Sequence, residues 1–168
     1  DLFMKIKTIV LMIAVAALLV APAASAQDTV SSASRVVDAD SLMNAAGEDG
    51  SWILIIQQDL SVDEDIVLEG THENRGEVDR KLALYDQDDD HNVTDRYTLE
   101  APSITVQSPS TRFKAGIFVG DVYVEAEGFE LETGFTIDGN VYFENEAAKN
   151  TFIISGGATV TGDLVNNW

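Results

Sequence analysis

One short phrase, written three times in the C-terminal third of the chain, constrains the fold more than any other feature. In each copy an apolar residue and a spacer precede a glycine, an Asp or Asn follows it, and another apolar residue comes next. The copies span residues 118–124, 137–143 and 160–165, and their glycines are Gly120, Gly139 and Gly162. A repeat of roughly 20 residues built from strand-like pieces predicts a β-solenoid, in which each repeat buries its apolar face only against its neighbours. We expect the glycines to form corners and the Asp or Asn beside each to face water.

The segments before these copies extend the pattern toward the N-terminus. Asp38 or Asp40 can cap a short helix ending at Gly47, and the apolar run at 52–56 predicts a buried strand. Residues 70–80 lack apolar periodicity and predict an exposed loop. Counting the strand-like segments gives about four to five rungs. The predicted fold is therefore all-β: a short parallel β-helix with an N-terminal capping helix, right-handed because crossovers between parallel strands nearly always are.

The first 26 residues have the pattern of a secretory signal peptide. Lys5 and Lys7 precede an apolar run at 9–20, and residues 24–26 read Ala-Ser-Ala, a small-residue cleavage site. The run is shorter than the roughly 20 residues of a spanning helix, which favours a signal peptide over the alternative, an uncleaved membrane anchor. We predict a signal peptide at 1–26, a flexible leader at 27–37 and a single β-helix domain at 38–168. The protein would then be secreted or at the cell surface, without membrane association after cleavage.

The charge balance limits the partners. The chain has 29 Asp and Glu against 10 Lys and Arg, a net charge of −19, so its surface repels nucleic acid and anionic lipid. Metal cations are the expected counter-ions. The chain has no cysteine, which excludes disulfides and a cysteine nucleophile.

The densest acidic stretch predicts a calcium site. Oxygen-bearing side chains stand at alternate positions, with one more three residues further on: Asp86, Asp88, Asp90, Asn92 and Asp95. Alternation lets a bent loop direct several hard oxygen ligands at one Ca²⁺ ion. The stretch departs from the EF-hand pattern, because His91 stands where that loop has Gly and the final Glu is missing. The alternative is a solvated acidic turn between strands.

Three aromatic residues are candidates for a ligand or assembly surface. Tyr123 and Tyr142 occupy the same place in two repeats, directly after the inward positions, so alternation places both outside. Such a row either contacts a sugar or only stacks across repeats. Trp168 follows the last repeat, where it either covers the final rung or leaves it available to another chain.

Two family resemblances support the solenoid. The order of short helix, buried strand and further strands at 38–68 resembles the N-terminal start of pectin-lyase-like right-handed β-helix proteins, which implies that the helix covers the open end of the coil. The phrases Gly-Asp-Val at 120–122, Gly-Asn-Val at 139–141 and Gly-Asp-Leu at 162–164 resemble the repeats of bactofilin-type polymer-forming β-helix proteins. That resemblance implies architecture and self-association. The cytoskeletal role does not carry over, since bactofilins are cytoplasmic and this chain has a secretion signal.

No catalytic residue is nominated by the sequence. Carboxylate pairs arise by chance in so acidic a chain, and Arg96 is the only basic residue beside the acidic stretch. We therefore predict a non-enzymatic secreted or cell-surface β-helix protein with a structural, adhesive or self-assembling role in a filament or matrix. The alternatives are a calcium-dependent module that binds extracellular polysaccharide and a small polysaccharide-active enzyme.

Overall fold

The computed structural model describes residues 30–168, so the predicted signal peptide and residues 27–29 of the predicted leader lie outside the described residues. The first nine strands are β1 (Arg35–Val36), β2 (Ile53–Ile56), β3 (Leu60–Ser61), β4 (Ile66–Leu68), β5 (Glu73–Asn74), β6 (Glu77–Val78), β7 (Arg80–Ala83), β8 (Tyr85–Gln87) and β9 (Val93–Arg96). The next nine are β10 (Thr98–Val106), β11 (Thr111–Lys114), β12 (Gly116–Val124), β13 (Glu130–Leu131), β14 (Phe135–Asp138), β15 (Val141–Phe143), β16 (Ile153–Ile154), β17 (Thr159–Val160) and β18 (Leu164–Asn166). The helices are α1 (Ala39–Ala46) and α2 (Glu146–Asn150), with a 3-10 turn at Ser32–Ser34.

Two parallel sheets contain most of the strands. The first has the order β1-β2-β7-β11-β13-β16, and the second contains β3, β4, β10, β12, β14, β15, β17 and β18. From β2 onward the chain passes back and forth between the two sheets, interrupted by two hairpins and by α2. The chain is therefore mostly β with parallel sheets, which is compatible with the predicted all-β class.

The repeated phrases lie in register in the second sheet. Phe118 on β12 pairs with Ile137 on β14, 19 residues further along the chain. Val122 on β12 pairs with Val141 on β15, and Val141 pairs with Leu164 on β18. The first four of these side chains are fully buried. The predicted correspondence between the phrases is confirmed.

The two sheets share one hydrophobic core. In the first sheet Leu54, Leu82, Phe113 and Leu131 stand in register across four strands, and all are buried. The Phe113 ring meets the Phe129 ring edge-on, with centroids 4.9 Å apart. Because burying one large apolar side chain contributes roughly 1.5–3 kcal/mol, these rows are the main attraction between the sheets.

The glycine phrases pack backbone against backbone. A Cβ added at Gly139 would lie 2.0 Å from the carbonyl oxygen of Gly120, so only glycine fits between these neighbouring strands. The adjacent polar residues, which we expect to face water, are partly exposed at Asp121 and Asn140 and exposed at Asp163. The Asn140 backbone N–H donates to Asp121 Oδ1 at 2.9 Å, and the Asp163 N–H donates to Asn140 Oδ1 at 2.9 Å. These side chains satisfy backbone donors that the corners leave unpaired.

Helix α1 covers the N-terminal end of both sheets. Its N-cap is Asp38, whose carboxylate accepts from the Ser41 N–H at 2.8 Å, and Leu42, Ala45 and Ala46 are buried against β1, β2 and β4. The predicted short helix is confirmed. No helix within residues 30–168 is long and apolar enough to cross a membrane.

Part of the predicted flexible leader at 27–37 belongs to the packed structure. The 3-10 turn buries Ser34, and β1 pairs in parallel with β2. Val36 is buried because it occupies a core position beside Ile56. The packed structure thus includes residues before Asp38.

Arg80 joins α1 to the sheets from inside the molecule. Its side chain is 0% exposed and donates to the carbonyl oxygens of Ala45, in α1, and of Glu69, just after β4, at 2.7 Å each. It also donates to Ser108 Oγ at 3.1 Å. Burial lowers the pKa of Arg80 to about 10, so the guanidinium stays charged at neutral pH.

Two antiparallel hairpins and one short helix interrupt the parallel sheets. The predicted loop at 70–80 contains the hairpin β5–β6, and the acidic stretch at 86–95 forms most of the hairpin β8–β9. Helix α2 accounts for the longer spacing between the second and third phrases. It begins after Asn145, whose side-chain oxygen accepts from the Ala148 N–H, and Ala148 is buried.

Candidate functional site

The tip of the acidic hairpin β8–β9 is built around Asp88. Its Oδ1 accepts from the backbone N–H groups of Asp90 and Asn92 at 3.0 and 2.9 Å, and its Oδ2 accepts from Asn92 Nδ2 at 3.2 Å. These hydrogen bonds hold the pKa of Asp88 below its ordinary value, the backbone bond from Asn92 contributing most. They also support the turn at His91, whose φ is +66°. Asp88 therefore acts as a turn-forming carboxylate.

Asp86 lies at the base of the same hairpin and is engaged elsewhere. One oxygen accepts from Gln57 Nε2 at 2.6 Å and the other from the Tyr97 hydroxyl at 2.5 Å. Asp95 stands opposite Asp86 on β9. The Asp86 carboxylate therefore connects the hairpin to both sheets, through Gln57 after β2 and Tyr97 before β10.

The five predicted calcium ligands are thus close in sequence but divided in space between the tip and the base of the hairpin. Within residues 30–168 no group of three or more His, Cys, Asp and Glu side chains is placed to hold a metal ion. Calcium prefers six to eight converging oxygens, whereas the Asp88 carboxylate points at N–H donors of its own turn. The described residues thus present no ready-made group of carboxylate ligands, and calcium binding stays a prediction.

Asp86→Asn is expected to lower the pKa of Tyr97. The hydrogen bond to the Asp86 carboxylate raises the pKa of Tyr97 from 10.0 to about 12, and a neutral amide removes the negative charge responsible. Since the folded-state pKa lies above the unfolded one, this hydrogen bond stabilises the protein fully below pH about 10 and loses its effect as pH rises toward 12. Tyrosinate absorbance, taken as the difference from Tyr97→Phe, would measure the shift. An identical titration with and without Asp86 would contradict the assignment.

Tyr123 and Tyr142 form a stacked pair on the outer face of the second sheet. Their residues pair in register, their rings are 4.9 Å apart and 14° from parallel, and Val165 takes the corresponding place on β18. Both side chains are half-exposed, and burial raises the pKa of Tyr123. Each ring packs one face against its neighbour, so stacking between strands occupies that face. Sugars stack on ring faces, and carbohydrate contact here stays a prediction.

The last strands of the two sheets expose positions whose counterparts in earlier strands are buried. We call β16, β17 and β18 together the C-terminal edge. Ile154 pairs with Leu131 and Leu164 pairs with Val141; these partners are fully buried, whereas Ile154 is 48% and Leu164 55% exposed. Trp168 lies beyond β18 and is 58% exposed, so it does not become buried against the last strands.

An open groove lies on the outer face of the first sheet, and of the predicted site residues only Asp86 lines it. We call it the lysine groove; its floor contains Ile53, Ile55, Lys81, Tyr85 and Lys114. Residues from the tips of the hairpins β5–β6 and β8–β9 also line it, and the cavity volume is about 1050 Å³. Ile53, Lys81 and Tyr85 are buried even though they face away from the core. Because side chains alternate along β7 and Leu82 points inward, the sequence could have predicted that Lys81 points outward. It could not have predicted that two hairpins lie beside Lys81.

Comparisons of the chain with protein-family models, with curated proteins and with solved structures found no match. The sites are therefore interpreted from their own chemistry.

Proposed function

We propose that the chain is a short parallel β-helix that acts outside the cell as a non-enzymatic structural or adhesive protein, and that it associates with a second copy through its C-terminal edge. The alternation of the chain between two parallel sheets and the single core between them support the β-helix. The proposed association is supported by Ile154 and Leu164, which are exposed in the last strands at positions equivalent to buried ones in earlier strands.

The backbone of the C-terminal edge supports pairing with another strand. Among residues 30–168, β16, β17 and β18 each pair on one side only, with β13, β14 and β15 respectively. An edge strand presents a row of N–H and C=O groups that can pair with another chain. Together with the exposed Ile154 and Leu164, this edge offers both hydrogen bonds and apolar contacts to a partner.

The charge distribution favours a second copy as that partner. Asp163 is the only charged side chain in residues 150–168, although the whole chain carries −19. Two copies of so acidic a protein repel one another except where charge is sparse, and interface cores are depleted of charged residues. The C-terminal edge is therefore the part of the surface where two copies approach at least cost.

The covered N-terminal end favours a closed pair over a filament. Head-to-tail stacking would need two open ends, but α1 packs across the N-terminal strands, with Leu42 fully buried. Contact between two C-terminal edges instead creates a twofold, self-complementary interface that closes after two copies. We therefore propose a dimer as the assembly unit.

Leu164→Lys is expected to weaken dimerisation of the protein at least tenfold, because it places a charge in an apolar interface. Ile117→Lys is the matched control, since Ile117 is also an exposed apolar residue, 38% exposed, but lies on the outer face of β12. Sedimentation equilibrium of the protein and both variants measures the dissociation constants. A protein that stays monomeric at millimolar concentration, or two variants that dimerise equally well, would contradict the proposal.

A further inference from the structure

The lysine groove carries a charge opposite to that of the protein. Of the eight Lys and Arg residues within 30–168, three line it, Arg75, Lys81 and Lys114, beside a single acid, Asp86. The Asp86 carboxylate already accepts hydrogen bonds from Gln57 and Tyr97. A cleft in which one sign of charge predominates concentrates ligands of the other sign, so this groove attracts anions to a protein that otherwise repels them.

Lys81 is held in the groove without a counter-ion among the described residues. Its side chain is 7% exposed, and its Nζ donates to the Tyr85 hydroxyl at 2.9 Å. Within residues 30–168 no carboxylate lies within 4.0 Å of the Nζ of Lys81 or of Lys114. Arg112, on the same sheet, binds two carboxylates. An ammonium has three N–H donors, so Lys81 retains donors for a ligand after bonding to Tyr85.

The two ammonium groups converge on one aromatic ring above an apolar floor. The Nζ atoms of Lys81 and Lys114 lie 5.4 and 5.5 Å from the centre of the Tyr85 ring. Ile53 and Ala83 pack with Tyr85 in an apolar cluster separate from the core, and Ile55 borders it. The groove therefore places positive charge beside a flat apolar surface.

We propose that the lysine groove binds a small aromatic carboxylate. The carboxylate accepts hydrogen bonds from Lys81 and Lys114, and the aromatic body covers Ile53 and Ile55. A polyanionic chain would extend beyond the groove onto the acidic surface, which repels it, whereas a single carboxylate is neutralised inside. The volume of about 1050 Å³ leaves room for an organic molecule of ordinary size. This site is independent of the C-terminal edge.

The probe for the test is 2-naphthoate, followed by NMR titration of the full chain. We expect saturable shift changes confined to the groove residues, and much weaker changes with the neutral 2-naphthalenemethanol. Lys114→Met, at a half-exposed position, should weaken naphthoate binding about tenfold, as loss of one hydrogen bond to a charged group does. Lys81→Met together with Lys114→Met should weaken it further. Lys149→Met, at an exposed position on α2, removes the same charge elsewhere and should leave the affinity unchanged.

Three results would overturn the proposal. One is the absence of saturable shifts with 2-naphthoate, and another is equal binding of the neutral analogue, which would show that apolar contact alone attracts the probe. The third is an affinity that Lys114→Met leaves unchanged, or that Lys149→Met lowers as much. The Lys114 variant decides the matter even if replacing the buried Lys81 unfolds the protein.

Discussion

Arg80→Ala is expected to lower the free energy of unfolding by about 3–5 kcal/mol, as loss of a large buried side chain or of one partner in a buried charged network does. The substitution empties a fully buried volume and removes the three hydrogen bonds that join α1, the segment after β4 and the turn at Ser108. Arg80 also has an unpaired Nε within the described part of the chain. The cost of desolvating this atom offsets part of the stability that the three hydrogen bonds contribute. Urea denaturation followed by circular dichroism measures the change.

Arg80→Met separates the two contributions. Methionine fills much of the same volume but has no hydrogen-bond donors. We therefore expect Arg80→Met to lower the free energy of unfolding by about 2 kcal/mol relative to the parent protein, which is less than the loss in Arg80→Ala. Arg35→Ala is the control, because Arg35 is exposed and its guanidinium donates to the exposed side chain of Gln57 at 2.9 Å. We expect this variant to stay within about 0.5 kcal/mol of the parent protein. If Arg80→Met were as stable as the parent protein, the guanidinium would contribute nothing beyond packing.

Gly139→Ala is expected to destabilise the protein by about 3 kcal/mol, at the upper end of overpacking effects. The new Cβ would lie 2.0 Å from the Gly120 carbonyl oxygen and 2.7 Å from its carbon. Both are backbone atoms of the neighbouring strand, so relief requires the two strands to separate. That movement also strains the hydrogen bond from Asn140 to Asp121.

Gly156→Ala provides the matched control for the same chemical change. Nothing lies within 4 Å of a Cβ at Gly156, and its φ is outside the left-handed region. We expect a neutral effect or a gain of up to about 1 kcal/mol, since alanine restricts the unfolded chain. Thermal unfolding of both variants is the measurement, and equal melting temperatures would exclude close backbone packing at Gly139.

The strand register and the capping helix could be predicted because their signals are local. Gly120, Gly139 and Gly162 mark equivalent positions, so the phrases align without knowledge of the rest of the chain. Asp38 and Gly47 bound α1 as expected. In both cases the determining contacts join nearby residues or repeats of one pattern, which a single sequence reveals.

The interior role of Arg80 could not be predicted with the same ease, because its acceptors are distant in sequence. Ala45 lies 35 residues before it and Ser108 lies 28 residues after it. A signal did exist: Arg80 has the same alternation as Leu82 and Leu84, which are buried. The short charged run of Asp79, Arg80 and Lys81 instead suggested an exposed loop end.

The candidate sites were predicted in part. Alternation correctly placed Tyr123 and Tyr142 together on the outside, and the exposed end near Leu164 followed from the repeat. Spacing alone could not show that the Asp88 carboxylate would turn toward its own backbone. The lysine groove depends on how two hairpins lie over a sheet, which no local pattern specifies.

The hairpins that border the lysine groove also affect the order in which the chain can fold. Strands β12 and β14 join residues 19 apart, such as Phe118 and Ile137, whereas β3 and β10 join Leu60 to Leu99, 39 apart. Doubling the length of a loop raises the free energy of closing it by about 0.6 kcal/mol. Closure of the C-terminal repeats is therefore favoured roughly threefold over closure between β3 and β10. Both hairpins lie within the longer interval. Being local, they can form early and shorten the loop that remains to be closed.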